Sequence, residues 1–256
     1  MVNLYQGDCL QLMNNISDRS VDLILCDLPY GVTANSLDVP IPLEPIPLEP
    51  LWKQYRRIIK DDGAILLFAQ GTFFVDLVNS CRDLFRYDLV WDKILPTGFL
   101  NANRMPLRVH EQIAVFYKSL PTYNPQFSEG EAAHDRGTKC YDKDITNNNY
   151  GKFELTDRTV EETKKFPKSI LTFRKPHPSK AHHRTEKPVE LLEYLIKTYS
   201  DECAVVLDNC MGSGSTGVAA VNTDRNFTGI ELDDNYFEVA KRRIEDAMQA
   251  RDMKLW

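Results

Sequence analysis

A chain of 256 residues, of which 43% are hydrophobic, can bury one large core, as a single domain or as a catalytic domain with a small appendage. No apolar run reaches the ~20 residues that a membrane span needs, and six scattered cysteines without a Cys-x-x-Cys pair argue against a zinc knuckle or a disulfide framework. The formal net charge of -6 disfavours an evenly basic surface of the kind that wraps nucleic acid.

Short apolar runs alternate with helical patterns along most of the chain. The runs end in turn residues, which is typical of strands buried on both faces of a parallel sheet. The predicted strands are residues 21–26, 64–68, 204–207 and 227–232. The predicted helices are residues 51–59, 73–84, 188–199, 215–222 and 235–248. Strands separated by helices predict an α/β fold with a doubly wound sheet.

A perfect tandem repeat precedes the first long helix, with Ile-Pro-Leu-Glu-Pro at residues 41–45 and again at 46–50. Proline at every second or third position disfavours helix and predicts an extended loop. We interpret the repeat as an insertion that arose by local duplication.

Two further predicted strands, residues 87–93 and 111–118, follow one another without a helical pattern between them. The loop that joins them contains Asn101, Asn103 and Arg104. Because a direct connection of this kind joins antiparallel strands, we expect one antiparallel strand in a mostly parallel sheet.

Periodicity fades between residues 120 and 180, which we interpret as a recognition insert between two halves of a catalytic domain, 1–119 and 181–256. Residues 164–187 carry eight basic side chains and one acid, a net charge of +7 that leaves -13 for the rest of the chain. Such a stripe suits a DNA-facing surface, and a solvated face is the alternative. The candidate DNA contacts are Arg104, Lys164, Lys165, Lys168, Arg174 and Lys175.

The first candidate site is the loop Asp27-Leu28-Pro29-Tyr30, which directly follows a buried strand. Loops at the carboxyl ends of strands bind ligands in open α/β sheets. The Asp27 carboxylate and the Leu28 carbonyl can each accept one N–H of an exocyclic amino group. Pro29 stiffens the turn, and Tyr30 can stack on a base flipped out of a duplex. An ordinary Asx or proline turn is the alternative.

The second candidate site is a strand, a glycine turn and a helix within residues 205–217, with Glu231 after the next strand. Glycines let a backbone approach a ligand closely, and a following acidic side chain suits ribose hydroxyls. Gly212, Gly214 and Gly217 also fit the dinucleotide fingerprint, so an NAD-dependent dehydrogenase and a purely structural turn are alternatives. Only one strand and one helix follow, fewer than a nicotinamide-binding half needs.

The two sites and their order resemble the amino-methyltransferases of restriction-modification and phage systems in the β arrangement, with the catalytic loop first, the target-recognition region in the middle and the cofactor loop last. Gly7-Asp8-Cys9-Leu10 resembles the strand-end carboxylate near the cofactor adenine. Residues 183–188, His-Arg-Thr-Glu-Lys-Pro, are similar to the H-P-T-Q-K-P segment. Residues 208–215 are similar to D-P-F-x-G-S-G-T, and residues 229–231 to the ribose-binding G-x-E.

This resemblance implies a circularly permuted, Rossmann-like methyltransferase fold, S-adenosyl-L-methionine as cofactor and double-stranded DNA as partner. The family associates Asp in the first loop position mainly with adenine N6, which implies an adenine-specific enzyme and leaves cytosine N4 open. An RNA or protein amino-methyltransferase and a non-catalytic DNA-binding relic are further alternatives. The implied cofactor-binding residues are Asp8, Thr185, Lys187, Asp208, Met211, Gly212, Ser213, Gly214, Ser215 and Glu231.

Each implied role has a simpler alternative: Asp8 could cap a helix, and Lys187 could be a surface lysine. The chain also departs from the family pattern, with Leu28 in place of a proline and Asn209-Cys210 in place of Pro-Phe. We expect no metal, because the histidines of residues 177–183 lie in a Lys-rich stretch without an acidic ligand. We expect a soluble cytoplasmic protein, and the oligomeric state stays open, with a homodimer among the alternatives.

Overall fold

The computed structural model describes residues 1–29, 45–130, 163–175 and 186–254. The strands in these ranges are β1 (Val2–Gln6), β2 (Val21–Asp27), β3 (Ile59–Ala69), β4 (Phe85–Thr97), β5 (Arg108–Phe116), β6 (Ser128–Glu129), β7 (Lys164–Lys165), β8 (Ile170–Thr172), β9 (Val205–Asp208) and β10 (Asn226–Glu231). The α-helices are α1 (Cys9–Leu12), α2 (Leu48–Ile58), α3 (Thr72–Ser80), α4 (Val189–Tyr199), α5 (Ser215–Asn222) and α6 (Asp234–Lys254).

Eight strands form the main sheet in the order β1-β10-β9-β2-β3-β5-β4-β8. The strands β1, β10, β9, β2 and β3 run parallel, whereas β5 is antiparallel to both of its neighbours. This confirms the predicted mostly parallel α/β sheet with one antiparallel strand.

The sheet is buried on both faces, as the continuous apolar pattern of β2 predicts. Leu23 and Leu25 pack with the buried side chains of α4, α5 and α6. Ile24 and Cys26 point to the opposite face and pack with α2 and α3. Alternate residues of one strand therefore enter two different hydrophobic layers, which places the sheet in the middle of an α/β/α sandwich.

The direction of strand addition changes between β9 and β2. From β9 the chain continues to β10 on one side, and from β2 it continues to β3 on the other. A crevice forms outside the carboxyl ends of the strands at such a switch point, and ligands of open α/β sheets bind there. The residues that end the two flanking strands are Asp208 and Asp27.

The second copy of the proline repeat corrects one prediction. Leu48, Glu49 and Pro50 begin α2, and Pro47 caps it, so the expected extended loop stops before Leu48. Proline fits this turn because the first N–H groups of a helix have no intrahelical acceptor. Residues 30–44, which contain Tyr30 and the first four residues of the first copy, lie outside the described ranges.

Residues 125–168 form a second compact unit. In its described part, β6 pairs antiparallel with β7, and the rings of Phe127 and Phe166 lie 5.0 Å apart. Ile170–Thr172, which also falls within the predicted insert of residues 120–180, instead pairs with β4 in the main sheet. The domain bounds stay a prediction.

Candidate active site

Four acidic residues from distant parts of the sequence lie at one edge of the sheet. Glu231, Asp208 and Asp27 end the parallel strands β10, β9 and β2. Asp8 follows β1, which pairs in parallel with β10. Because the strands run in the same direction, their carboxyl ends meet at the same edge, where the switch point lies. The fold therefore brings the predicted catalytic loop and the predicted cofactor carboxylates to one edge.

Asp27 carries a buried counter-ion. The Nζ of Lys187 donates a hydrogen bond to Asp27 Oδ2 and lies 5.0 Å above the ring of Phe68. The side chain of Lys187 is only 7% exposed, so Lys187 is not a surface lysine. Burial alone would lower the pKa of Lys187, but the charges of Asp27 and Glu111 outweigh it and raise the pKa. Lys187 therefore holds a positive charge against the Asp27 carboxylate.

Glu111 and Lys93 extend this pairing, although sequence reasoning assigned no role to either. Glu111 Oε2 lies 3.3 Å from Lys187 Nζ, and Glu111 Oε1 accepts a hydrogen bond of 3.2 Å from Lys93 Nζ. Burial would raise the pKa of Glu111, but the two lysines lower it below its usual value. The signal was weak, because Glu111 looks like an ordinary polar residue within a strand.

Lys175, a predicted DNA contact, is half-buried beside the same groups. Burial and the positive charges of Lys93 and Lys187 lower the pKa of Lys175. The negative charges of Glu111 and Asp27 offset this only in part. We call these five residues the charged cluster: Asp27, Lys93, Glu111, Lys175 and Lys187. The cluster thus includes Asp27, the first residue of the predicted catalytic loop, in which Leu28 is buried in the core.

The side chain of Glu231 is hydrogen-bonded to the glycine loop. Glu231 Oε2 accepts the N–H of Gly212 at 2.8 Å, and Oε1 accepts the N–H of Asp233 at 2.9 Å. Gly212 has φ +50°, and a Cβ added there would meet nothing within 4 Å, so its backbone faces open space. Gly214 has φ +80°, and a Cβ there would lie 2.8 Å from the Cβ of Ala240. Gly212 thus leaves room for a ligand, whereas Gly214 allows close packing.

Asp208 is fully buried at the start of this loop. Its Oδ1 accepts the N–H of Cys210 at 3.0 Å. Burial raises its pKa to about 6, although hydrogen bonds from Thr216 and the Cys210 backbone act in the opposite direction.

Asn209-Cys210, which departs from the Pro-Phe of the family pattern, has hydrogen-bond partners in the core. Asn209 Oδ1 accepts a hydrogen bond of 2.5 Å from the hydroxyl of Tyr55. Its Nδ2 lies 3.6 Å from Cys9 Sγ and 3.4 Å from Cys210 Sγ. A polar side chain at position 209 is therefore satisfied within the core by groups from α1 and α2.

A buried ion pair ties the segment before α4 to the glycine loop. Arg243 donates to Glu186 Oε1 at 2.6 Å and to the Ser213 carbonyl at 2.7 Å. Ser215 Oγ donates to the same Glu186 oxygen at 3.2 Å. The single acid of the basic stripe is thus a structural partner of the loop, which sequence reasoning missed.

The remaining predicted site residues are placed as follows. Asp8 caps α1 by accepting the N–H of Gln11 at 2.9 Å, which confirms the simpler alternative without testing a cofactor role. Met211 donates its N–H to the carbonyl of Ile230 at 3.0 Å. Arg104, Lys168 and Arg174 are exposed, and Lys164 and Lys165 are half-buried. Thr185 lies outside the described ranges.

The described ranges contain neither a membrane-spanning helix nor a metal-binding cluster. No helix in these ranges combines the length and apolar character of a membrane span. The same ranges hold no group of three or more His, Cys, Asp or Glu side chains arranged to bind a metal ion. The histidines at 177, 182 and 183 lie outside them.

Comparison with known proteins places this geometry in a family. A family model described as DNA methylase, for N6 and N4 methylation, matches residues 21–242. The Type II methyltransferase M2.MboI of Moraxella bovis is 23% identical over 264 residues, which cover 95% of this chain and 88% of that protein.

Two solved structures show the same fold. The complex of M1.HpyAVI with SAM has a TM-score of 0.61 and 20% identity, and the match covers 95% of this chain and 99% of the other. The cytosine-N4-specific PvuII DNA methyltransferase has a TM-score of 0.65 and 16% identity, with coverage of 97% and 91%. The family match spans most of the chain and includes the strand-end loop with Asp27, Lys187 and the glycine loop. The chain therefore belongs to the N6/N4 DNA methylase family.

Proposed function

We propose that the protein transfers a methyl group from S-adenosyl-L-methionine to the N6 amino group of an adenine that is flipped out of double-stranded DNA at a specific site. One observation carries the proposal: Asp27 and the glycine loop flank the switch point of the sheet, at the same edge. This arrangement puts an acceptor for an amino group beside a loop that can hold the methyl donor.

The residues at this edge suit the proposed cofactor. The backbone of Gly212 faces open space, and Glu231 and Asp8 offer carboxylates at the ends of neighbouring strands, where ribose hydroxyls and the adenine amine need acceptors. Met211 and the Ser213–Ser215 turn would complete the cradle, and the resemblance to the family implies that Thr185 and Lys187 serve the methionine end. The cofactor supplies a methyl group on a cationic sulfur that is already a good leaving group.

The chain itself positions and polarises the amino group. Asp27 and the Leu28 carbonyl each accept one N–H, which localises the lone pair on the nitrogen. Methyl transfer then forms the N–C bond and breaks the C–S bond, whose electron pair stays on sulfur, and the nitrogen loses a proton to Asp27 or solvent. Buried Leu28 fixes the carbonyl, and Lys187 holds the Asp27 carboxylate in place. This chemistry needs no metal.

Cytosine N4 is the second candidate target. The family model covers both kinds of amino group, and PvuII methyltransferase, which shares the fold, is cytosine-N4-specific. Asp27 at the first loop position favours adenine, because the resembled family associates Asp mainly with N6.

The residues that we propose to contact DNA are Arg104, Lys168 and Arg174, which are exposed, together with Lys164, Lys165 and Lys175. These side chains would contact the phosphates, which give affinity without base specificity. We place the enzyme in the cytoplasm, where its DNA substrate is found, and leave a homodimer open.

Incubation of methyl-free DNA with the protein and S-adenosyl-L-methionine, followed by modification-sensitive sequencing, tests the proposal directly. We expect one short recognition sequence with methyl groups on adenine N6. Methyl groups on cytosine would select the second candidate, and unmodified DNA alongside methylated RNA or protein would contradict the proposal.

A further inference from the structure

The charged cluster presents an electrostatic problem for the proposed reaction. Two of its lysines, Lys93 and Lys187, are buried, and both pair with Glu111, while Lys187 also pairs with Asp27. The proposed donor is cationic at the sulfur that carries the methyl group. A cation placed near buried lysines is disfavoured unless carboxylates offset their charge, and most strongly in a part-buried site where water screens little.

Glu111 is placed to offset this charge. Its two oxygens face different lysines, Oε1 towards Lys93 at 3.2 Å and Oε2 towards Lys187 at 3.3 Å. The side chain of Glu111 is 14% exposed, and those of Lys93 and Lys187 are 5% and 7% exposed, so the charges act on one another with little solvent between them. Asp27 also pairs with Lys187, and the proposed reaction uses it for the amino group.

We infer that Glu111 is a positioning residue that balances the charge of Lys187 and Lys93, which allows a sulfonium to bind beside Asp27. Glu111 acts through Lys187 and does not touch the base. It also leaves more of the acceptor strength of Asp27 for the amino group, because Lys187 shares its positive charge between two carboxylates. This inference rests on the proposed function.

The test compares two ligands that differ at the sulfur. S-Adenosylmethionine is cationic there, whereas S-adenosylhomocysteine, which lacks the methyl group, is neutral. Titration calorimetry of the full chain yields the Kd of each, and the ratio of the two reports the charge of the site. A residue with a merely structural role would change both affinities alike and leave the ratio unchanged.

Two variants change the charge in opposite directions. Glu111→Gln should weaken S-adenosylmethionine relative to S-adenosylhomocysteine by at least about fivefold, since it leaves two lysines without their shared carboxylate. Lys93→Met should shift the ratio the other way. Glu111→Asp, which keeps the charge, should retain the ratio of the wild type.

Asp61→Asn is the matched control, because it also removes one negative charge. Asp61 is exposed and pairs with Lys118 at 2.9 Å near the amino end of β2, whereas Asp27 lies at the carboxyl end. Its ratio should equal that of the wild type. If Glu111→Gln does not fold, the opposite shift in Lys93→Met carries the test.

The outcomes separate the two proposals. A wild-type protein that binds neither ligand contradicts the proposed function itself. The role of Glu111 is wrong if the wild type binds both ligands but Glu111→Gln and Lys93→Met have equal affinity ratios or shift the ratio in the same direction. The proposed function is not affected by that result.

Discussion

Lys187 and Asp27, 160 positions apart in the sequence, are hydrogen-bonded at the switch point of the sheet. The contact joins the segment before α4 to the end of β2, so the two halves of the sequence meet at the proposed catalytic carboxylate. Removal of either partner leaves a charge in a site from which water is largely excluded.

Replacement of Asp27 by alanine tests the catalytic role. We expect Asp27→Ala to reduce methyl transfer to below about 1% of the wild-type rate, since it removes an acceptor aimed at the reacting amino group. Binding of S-adenosylhomocysteine should stay within about threefold of wild type, because the glycine loop is untouched. Labelled-methyl transfer and calorimetry measure the two quantities. Asp62→Ala, at an exposed position, is the control. Full activity in Asp27→Ala would contradict the mechanism.

The two glycines of the loop should respond differently to alanine. Gly214→Ala should lower the free energy of unfolding by roughly 3 kcal/mol, since its Cβ would overlap Ala240 at a backbone angle that disfavours side chains. Gly212→Ala should cost only about 1 kcal/mol, because its Cβ enters open space. Its cofactor affinity should nevertheless fall at least about tenfold. Urea unfolding measures the stability of each variant, and titration calorimetry measures its cofactor affinity. Equal unfolding free energies in the two variants would contradict the different roles of Gly212 and Gly214.

Arg243 should stabilise the glycine loop through Glu186. The side chains of Arg243 and Glu186 are 17% and 6% exposed, so Arg243→Met should cost about 3 kcal/mol by removing the positive charge that pairs with a buried carboxylate. The control is Arg251→Met, whose pair with Asp252 is exposed and should contribute less than about 0.5 kcal/mol. Addition of Glu186→Gln to Arg243→Met should restore part of the stability in urea unfolding. Equal losses in Arg243→Met and Arg251→Met would argue against the role.

The buried carboxyl of Asp208 predicts a pH dependence. Its pKa in the folded state is about 6, above the usual value, so the folded chain binds this proton more tightly than the unfolded chain does. This group therefore favours folding at low pH and loses that contribution as pH rises from about 4 to about 6. Asp208→Asn should gain stability relative to wild type over that window, on the order of 2 kcal/mol above pH 7. A stability difference that does not vary with pH would contradict the shifted pKa.

Much of this site could be predicted from the sequence because its residues end apolar strands. Asp27, Asp208 and Glu231 each close a buried run, and in a parallel sheet the ends of such runs meet. The helix at residues 215–222 was also predictable, since glycine punctuation precedes an apolar pattern. These features depend on local sequence and on one topological rule.

The partners of these residues could not be predicted in the same way. Glu111 lies inside β5, and Arg243 lies in the middle of α6, so neither position carries a turn or a motif. Their roles arise from pairs across the fold, Glu111 with Lys187 and Arg243 with Glu186. Lys187 was predicted to bind the cofactor, with a surface lysine as the alternative, and its pairing with Asp27 was missed because a charge pattern does not reveal which lysine is buried.

The strand order also constrains how the chain assembles. β1 and β2 are close in sequence, yet β10 and β9 lie between them in the sheet, about 14 Å of strand spacing. During synthesis the buried edge of β2 therefore lacks its β9 neighbour until the last quarter of the chain has emerged. We expect slow folding and a nascent chain that exposes an apolar, aggregation-prone strand edge. Molecular chaperones should therefore increase the yield of folded protein.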